Sequence, residues 1–260
     1  MRIAALQMVA RAGDVAANLA SIGRAVAEAK TRGAELLVAP ELALTGYGAS
    51  DAIRALAEPR EGGQIAAIRR MAGESGLAIV VGFAERTDGF IYNSAILARP
   101  DGEASFYRKC HLYGDYEREL FAAGNERPKS LDLNGLRIGM LICYDVEFPE
   151  CVRALALEGV DLVAAPTALP ESAHAAFIAE KLVPTRAFEN QVAIVYANHA
   201  GADRRFAYAG RSSITMPDGS DAARAGPSSE EIMVADFERA HFDASRAANP
   251  YLRDRRRDLF

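Results

Sequence analysis

Apolar positions along this chain recur with two different periods, and the switches between them predict its elements. Residues 3–9, IAALQMV, form a short apolar run that predicts a buried strand. Asp14 follows as a helix N-cap, with Val15, Leu19, Ile22 and Val26 on one face of a helix over 15–31 that Gly33 stops. Further strands are predicted at 35–41 (ELLVAPE), 77–85 (LAIVVGFAE), 137–145 (RIGMLICYD), 161–168 (DLVAAPTA) and 191–199 (QVAIVYANH). Helices are predicted over 62–76, framed by two glycines, over 149–159, with Pro149 at its first position, and over 172–189. Two Pro-Asp-Gly turns, at 100–102 and 217–219, predict hairpins over 92–109 and roughly 205–237.

Strands that alternate with helices in both halves, with hairpins between them, predict mixed sheets covered by helices. No linker rich in Pro, Gly or Ser divides the chain, so residues 1–260 are expected to form one domain, with 241–260 as a polar C-terminal tail. One internal echo stands out: TRGAELLVAP (31–40) resembles LEGVDLVAAP (157–166). Either two alanine-rich strands are alike by chance, or the segments hold equivalent places in two sheets. In the second case the residues that follow, Glu41 and Thr167, sit at strand ends of the kind that line clefts in layered α/β proteins.

Composition narrows the picture without naming an activity. The 260 residues carry a formal net charge of −5, and half are apolar, which suits a globular protein with a sizeable core. The one basic run, RDRRR at 253–257, is short, terminal and interrupted by Asp254, so no nucleic-acid partner is expected. No apolar run approaches a membrane span and the N-terminus reads as a strand rather than a signal peptide, so no membrane association is expected. Three cysteines with no CxxC or Cys/His spacing predict no metal site, and a reducing cytoplasm is the simplest setting.

Three segments carry candidate chemistry. In GMLICYDVEFPE (139–150), Cys143 ends an apolar strand shortly before a helix, where a thiol can face a cleft and neighbouring N–H groups can meet a developing oxyanion. Taken alone it fits a buried core thiol better than a nucleophile. APELALTGY (39–47) puts Glu41 directly after a strand and Pro40, and SFYRKCHL (105–112) puts Lys109 at the end of a hairpin strand. Each alone has an ordinary reading, a loop cap or a surface lysine; their joint occurrence does not. A cysteine peptidase would instead need a histidine beside Cys143, for which His199 at a strand end is the best placed. A binding protein without activity is the remaining alternative.

PELALTGY, YRKCHL and CYDVEFPE, in this order, resemble the three catalytic blocks of the nitrilase superfamily of carbon–nitrogen hydrolases. The flanks IAALQM, NSAIL, TRAFENQ and GRSSI extend the resemblance over essentially the whole chain. It implies an αββα sandwich of two mixed sheets flanked by helices, dimerised so that sheets and helices continue across the interface; the tail is expected there. It implies Glu41 as general base, Lys109 as electrostatic stabiliser and Cys143 as nucleophile. Glu117, eight residues past the lysine, fills the place of the family's second glutamate. The oxyanion would be held by Lys109 and the backbone N–H of Tyr144. No cofactor is required.

The substrate implied is a small amide, hydrolysed to acid and ammonia through a cysteine thioester. Tyr144 stands where nitrilases commonly carry tryptophan, which favours an amidase over a nitrilase or an N-carbamoyl amino acid hydrolase. Many relatives have arginine where this chain has Glu147. Either Glu147 meets an ammonium group on the substrate, as in amino-acid or cyclic-amine carboxamides, or it pairs with a structural arginine such as Arg186. Tyr47, Tyr116, Phe121, Thr167 and Ala168 are expected to complete the pocket wall.

Overall fold

The computed structural model describes residues 1–259, folded as two six-stranded sheets packed face to face between two layers of helices. In the first sheet β1 (Arg2–Gln7), β2 (Leu36–Val38) and β3 (Ala78–Thr87) run parallel. The hairpin of β4 (Phe90–Ala98) and β5 (Ala104–Arg108) extends one edge. In the second sheet β7 (Leu136–Met140), β8 (Leu162–Pro166) and β9 (Ala193–Ala197) are the parallel centre. They are flanked by β6 (Leu131–Leu133) on one side and by β10 (Ser213–Thr215) and β11 (Asp221–Arg224) on the other. Because both faces of the central strands are covered, they read as continuous apolar runs. Ile3, Leu36, Val38 and Val80 face the second sheet, while Ala4, Leu6 and Leu37 meet the helices α1 (Val15–Thr31) and α3 (Gly63–Ser75). The opposite layer is built by α5 (Pro149–Leu157) and α7 (Val183–Asn190).

The α1 cap is as expected: the Ala17 N–H donates to Asp14 Oδ1 at 3.0 Å, and Gly33 takes φ +76° just past the helix. The echoed segments prove equivalent. β2 and β8 each lie at the centre of a parallel trio, they pack against each other across the sandwich, and the Glu41 N–H donates to the Thr167 carbonyl at 3.4 Å.

Three expectations are corrected. The strand at 137–145 ends at Met140, because Cys143–Glu147 coil into a 3₁₀ turn. The 205–237 hairpin closes only between β10 and β11; β12 (Glu231–Asp236) crosses to the first sheet and pairs antiparallel with β1, covering its edge. The helix at 172–189 starts later, as α6 (Ala175–Phe177), and runs through a wide π turn at Ile178–Leu182 into α7. The tail is anchored by α8 (Arg239–Ala248), whose Phe242 is fully buried against Phe237, and ends in α9 (Tyr251–Asp254). Two short helices, α2 (Asp51–Leu56) and α4 (Gly114–Leu120), and strand β6 are too brief to leave a periodic signal. Among the described residues no helix is long and apolar enough to cross a membrane.

Candidate active site

The end of β2 brings Glu41, and the turn after β7 brings Cys143, to one side of the sandwich, and the end of β5 adds Lys109. Past β2, the Pro40 carbonyl accepts from Gly82 N–H at 3.0 Å, which draws the Glu41 segment tightly over β3. Residue 82 has to be glycine for this approach: a Cβ there would lie 2.3 Å from Leu42 N and 2.6 Å from Glu41 Cα. Lys109 is fixed by its own N–H, which donates to the Asn93 carbonyl on β4 at 2.8 Å.

Cys143 itself takes φ +47°, a left-handed conformation that a residue with a Cβ adopts only when its surroundings impose it. Asp145, fully buried two residues on, supplies that constraint. Its carboxylate accepts from Ile142 N–H (3.3 Å), Tyr107 OH (3.0 Å), His111 N–H (2.9 Å) and the His111 ring (2.8 Å). One side chain thus ties the turn carrying Cys143 to the strand and loop carrying Lys109.

The Lys109 ammonium, itself buried, donates to Glu41 Oε1 at 2.7 Å and to Glu117 Oε1 at 2.6 Å. Glu41 Oε1 also accepts from Asn93 Nδ2 at 2.6 Å, whereas Glu41 Oε2 is buried with no partner. Glu117 is held from α4: Oε1 accepts from Tyr47 OH at 2.9 Å and Oε2 from the Tyr113 N–H at 2.8 Å. The electrostatics follow from this packing. Burial pushes the Glu41 carboxyl up to about 7, with the Lys109 charge pulling it down and Glu117 pushing it up. Burial alone would lower Lys109, but the charges of Glu41 and Glu117 outweigh it and hold the ammonium well above its ordinary value. The Cys143 thiol is pushed up by burial and by Glu41, against the Lys109 charge and a hydrogen bond from the Ala168 backbone N–H. The resting arrangement is therefore a thiol beside a titratable carboxylate and a fixed cation.

A cavity of about 470 Å³ opens over Cys143, its wall including Tyr113, Tyr144, Glu147, Leu169, Phe177 and Ile178. Of the substrate-contacting residues expected from sequence, Glu147 lies there, beside Tyr144, whose expected part is its backbone N–H. Tyr47, Tyr116 and Phe121 are instead packed in a separate apolar cluster beneath Glu117, where Tyr116 OH donates to the Tyr47 carbonyl at 2.5 Å. Thr167 is fully buried and bonded to Ala165 O and Ala197 O, and Ala168 acts through its backbone on the thiol. Tyr113, Leu169, Phe177 and Ile178 were missed, since they come from three separate segments with no shared spacing.

The cysteine peptidase alternative finds no base in His199. The buried His199 donates Nε2–H to the Glu41 carbonyl at 2.7 Å, and burial lowers its pKa, so it is a neutral prop rather than a base on Cys143. Cys110 points at the Arg108 and Glu126 carbonyls, and burial pushes Cys151 up to about 12. His111, Asp145 and Cys151 bring donor atoms within 4.8 Å of one another, but both Asp145 oxygens already accept protein hydrogen bonds. Arg186 does not pair with the Glu147 carboxylate: its guanidinium binds Glu189 Oε1 at 3.0 Å and the Glu147 backbone carbonyl at 2.8 Å.

A thiol, a carboxylate with one bare oxygen and a buried ammonium, set on the αββα sandwich, define a carbon–nitrogen hydrolase acting on non-peptide bonds. The family model for carbon–nitrogen hydrolases matches residues 2–247, and the chain belongs to that family, in its amidase branch. It is 42% identical over 265 residues to a hydrolase of Pseudomonas protegens, covering 100% of this chain and 90% of the relative. It is 35% identical over 257 residues to an (R)-stereoselective amidase of a Pseudomonas species, covering 98% and 92%. The solved structure of an amidase from Nesterenkonia superposes with a TM-score of 0.89 at 34% identity, covering 100% of this chain and 98% of that one. A cysteine-to-alanine mutant of that amidase has been solved in complex with butyramide.

Proposed function

We propose that the protein hydrolyses small carboxamides to the acid and ammonia through a thioester on Cys143. The observation that carries this reading is the Lys109 ammonium clamped between Glu41 and Glu117 beside a cysteine that opens into a cavity. Glu41 Oε2, the oxygen without a partner, takes the thiol proton as sulfur attacks the amide carbon. The tetrahedral oxyanion is held by Lys109, whose ammonium has one proton beyond the two it gives to the glutamates, and by the Tyr144 backbone N–H. Such donors are each worth about 3 kcal/mol in the transition state.

Glu41 returns its proton to the nitrogen, the C–N bond breaks, and ammonia leaves the thioester behind. Water then adds, delivering its proton to Glu41, and the C–S bond breaks as that proton passes to sulfur, which releases the acid and restores the thiol. Glu117 holds Lys109 in register and does not exchange protons. Within small carboxamides, those of amino acids and cyclic amines are the favoured subclass.

The test is ammonia release from a panel of amides, nitriles and N-carbamoyl amino acids, with mass spectrometry of the trapped enzyme. Amides should be the best arm, with an acyl adduct on Cys143. Full turnover by Cys143→Ala, or faster release from nitriles or carbamoyl compounds, would sink the reading.

A further inference from the structure

We infer that the Glu147 carboxylate is a receptor for a cationic nitrogen, so that the cavity over Cys143 selects carboxamides that carry an ammonium group. The inference rests on the amidase reading and specifies the group at the far end of its substrate. Glu147 closes the turn that Cys143 opens, and both line the same cavity. The rest of that wall is largely apolar or aromatic and includes Leu169, Pro170, Phe177, Ile178 and Leu182. A half-buried carboxylate in such a setting ordinarily has a cation beside it, because its desolvation is otherwise uncompensated.

Among the described residues none forms an ion pair with the Glu147 carboxylate. Arg186, the nearest candidate from the packed helix α7, spends its guanidinium on Glu189 and on the backbone carbonyl of Glu147 itself. Lys109 is committed to Glu41 and Glu117. His174, also in the wall, makes no ion pair with Glu147 among the described residues. Burial accordingly pushes the Glu147 carboxyl up to about 7, against the weaker pull of Lys109 and Arg186. An ammonium group a few carbons from the scissile amide supplies the missing counter-charge while its carbon chain covers the apolar wall. A neutral end group leaves the carboxylate as it is, and an acid would be repelled by it.

The experiment compares three chains of equal length at about pH 8, where an alkylamine is still cationic: pentanamide, 5-aminopentanamide and the half-amide of glutaric acid. In the wild type kcat/KM for the amino compound should exceed that for pentanamide at least about tenfold, with the acid poorest. Glu147→Gln should bring the amino and neutral compounds within about threefold, and Glu147→Arg should make the acid the best of the three. Since those variants can fail to fold, the wild type alone gives a second readout. Butylammonium should inhibit pentanamide hydrolysis competitively at a concentration at least about tenfold below that needed with butyrate. Pentanamide or the acid as the best substrate, or equal inhibition by the two ions, overturns the role of Glu147 and leaves the amidase reading standing. No ammonia from any of the three and no adduct on Cys143 overturns both.

Discussion

Asn93 Nδ2 donates to Glu41 Oε1 at 2.6 Å, and the same residue's carbonyl accepts from the Lys109 N–H at 2.8 Å. Asn93 therefore sets Glu41 and Lys109 relative to each other and leaves Glu41 Oε2 as the oxygen without a partner. Replacing it by leucine removes a donor that favours the ionised carboxylate, so the Glu41 pKa rises from about 7. Since Glu41 has to be ionised to take the thiol proton, the acidic limb of the rate profile moves to higher pH. We expect kcat/KM on a neutral amide to fall by about 10 to 100-fold. The pH dependence of Cys143 alkylation by iodoacetamide checks this; a fall in rate with an unmoved limb would contradict it.

Glu41→Gln and Lys109→Met should separate catalysis from stability. The glutamine keeps the shape and the hydrogen-bonding reach of Glu41 but removes the base, so activity should drop by about 10³ or more with the fold retained. The methionine leaves Glu41 and Glu117, both fully buried, without their shared cation, and should cost about 3–5 kcal/mol of stability as well as activity. Urea denaturation alongside ammonia release distinguishes the two.

Gly82→Ala tests how closely β3 has to approach the Glu41 segment. The new methyl would lie 2.3 Å from Leu42 N, so the segment must shift or the strand must part from it. A displacement of about 1 Å at the base is enough to lower kcat about 100-fold. Steady-state kinetics on the folded variant, with circular dichroism as a control, measures it.

Glu147 should be a liability for stability wherever it is ionised. Its folded pKa, about 7, lies above the ordinary 4.5, so the folded state binds the proton more tightly and loses stability as pH rises from 4.5 through 7. Glu147→Gln removes that loss. After discounting for the partial exposure of the side chain, we expect the variant to be more stable than the wild type by about 1–2 kcal/mol at pH 8. The difference should vanish below 4.5, the ordinary value. Thermal or urea unfolding across this range checks the sign, and a destabilised variant at pH 8 would refute it.

The ordered blocks around Glu41, Lys109 and Cys143 were legible by their joint occurrence and by the family resemblance that their order carries, since each residue alone has an ordinary reading. Glu117 was legible only through that resemblance, which implies a second glutamate eight residues past Lys109. Asn93 was not singled out, although it opens NSAIL, one of the flanks that extend the resemblance. The pocket wall was largely misjudged: Tyr47, Tyr116 and Phe121 follow catalytic positions in the chain yet pack below Glu117, and Phe177 and Ile178 arrive from a distant helix. Proximity in sequence says little about a wall assembled from separate loops.

By itself the sequence determined the alternation of strands and helices, raised the equivalence of the two echoed strands, and through its resemblance to the family named Glu41, Lys109 and Cys143. Those depend on short-range periodicity and on local chemistry. Only the tertiary structure decided that Cys143 sits in a left-handed turn held by Asp145, that β12 returns to the first sheet, that His199 props Glu41, and that Arg186 turns away from the Glu147 carboxylate. Each of these is a contact between residues far apart in the chain or a backbone state imposed by such contacts. They follow from how the two sheets close on each other, which no local pattern encodes.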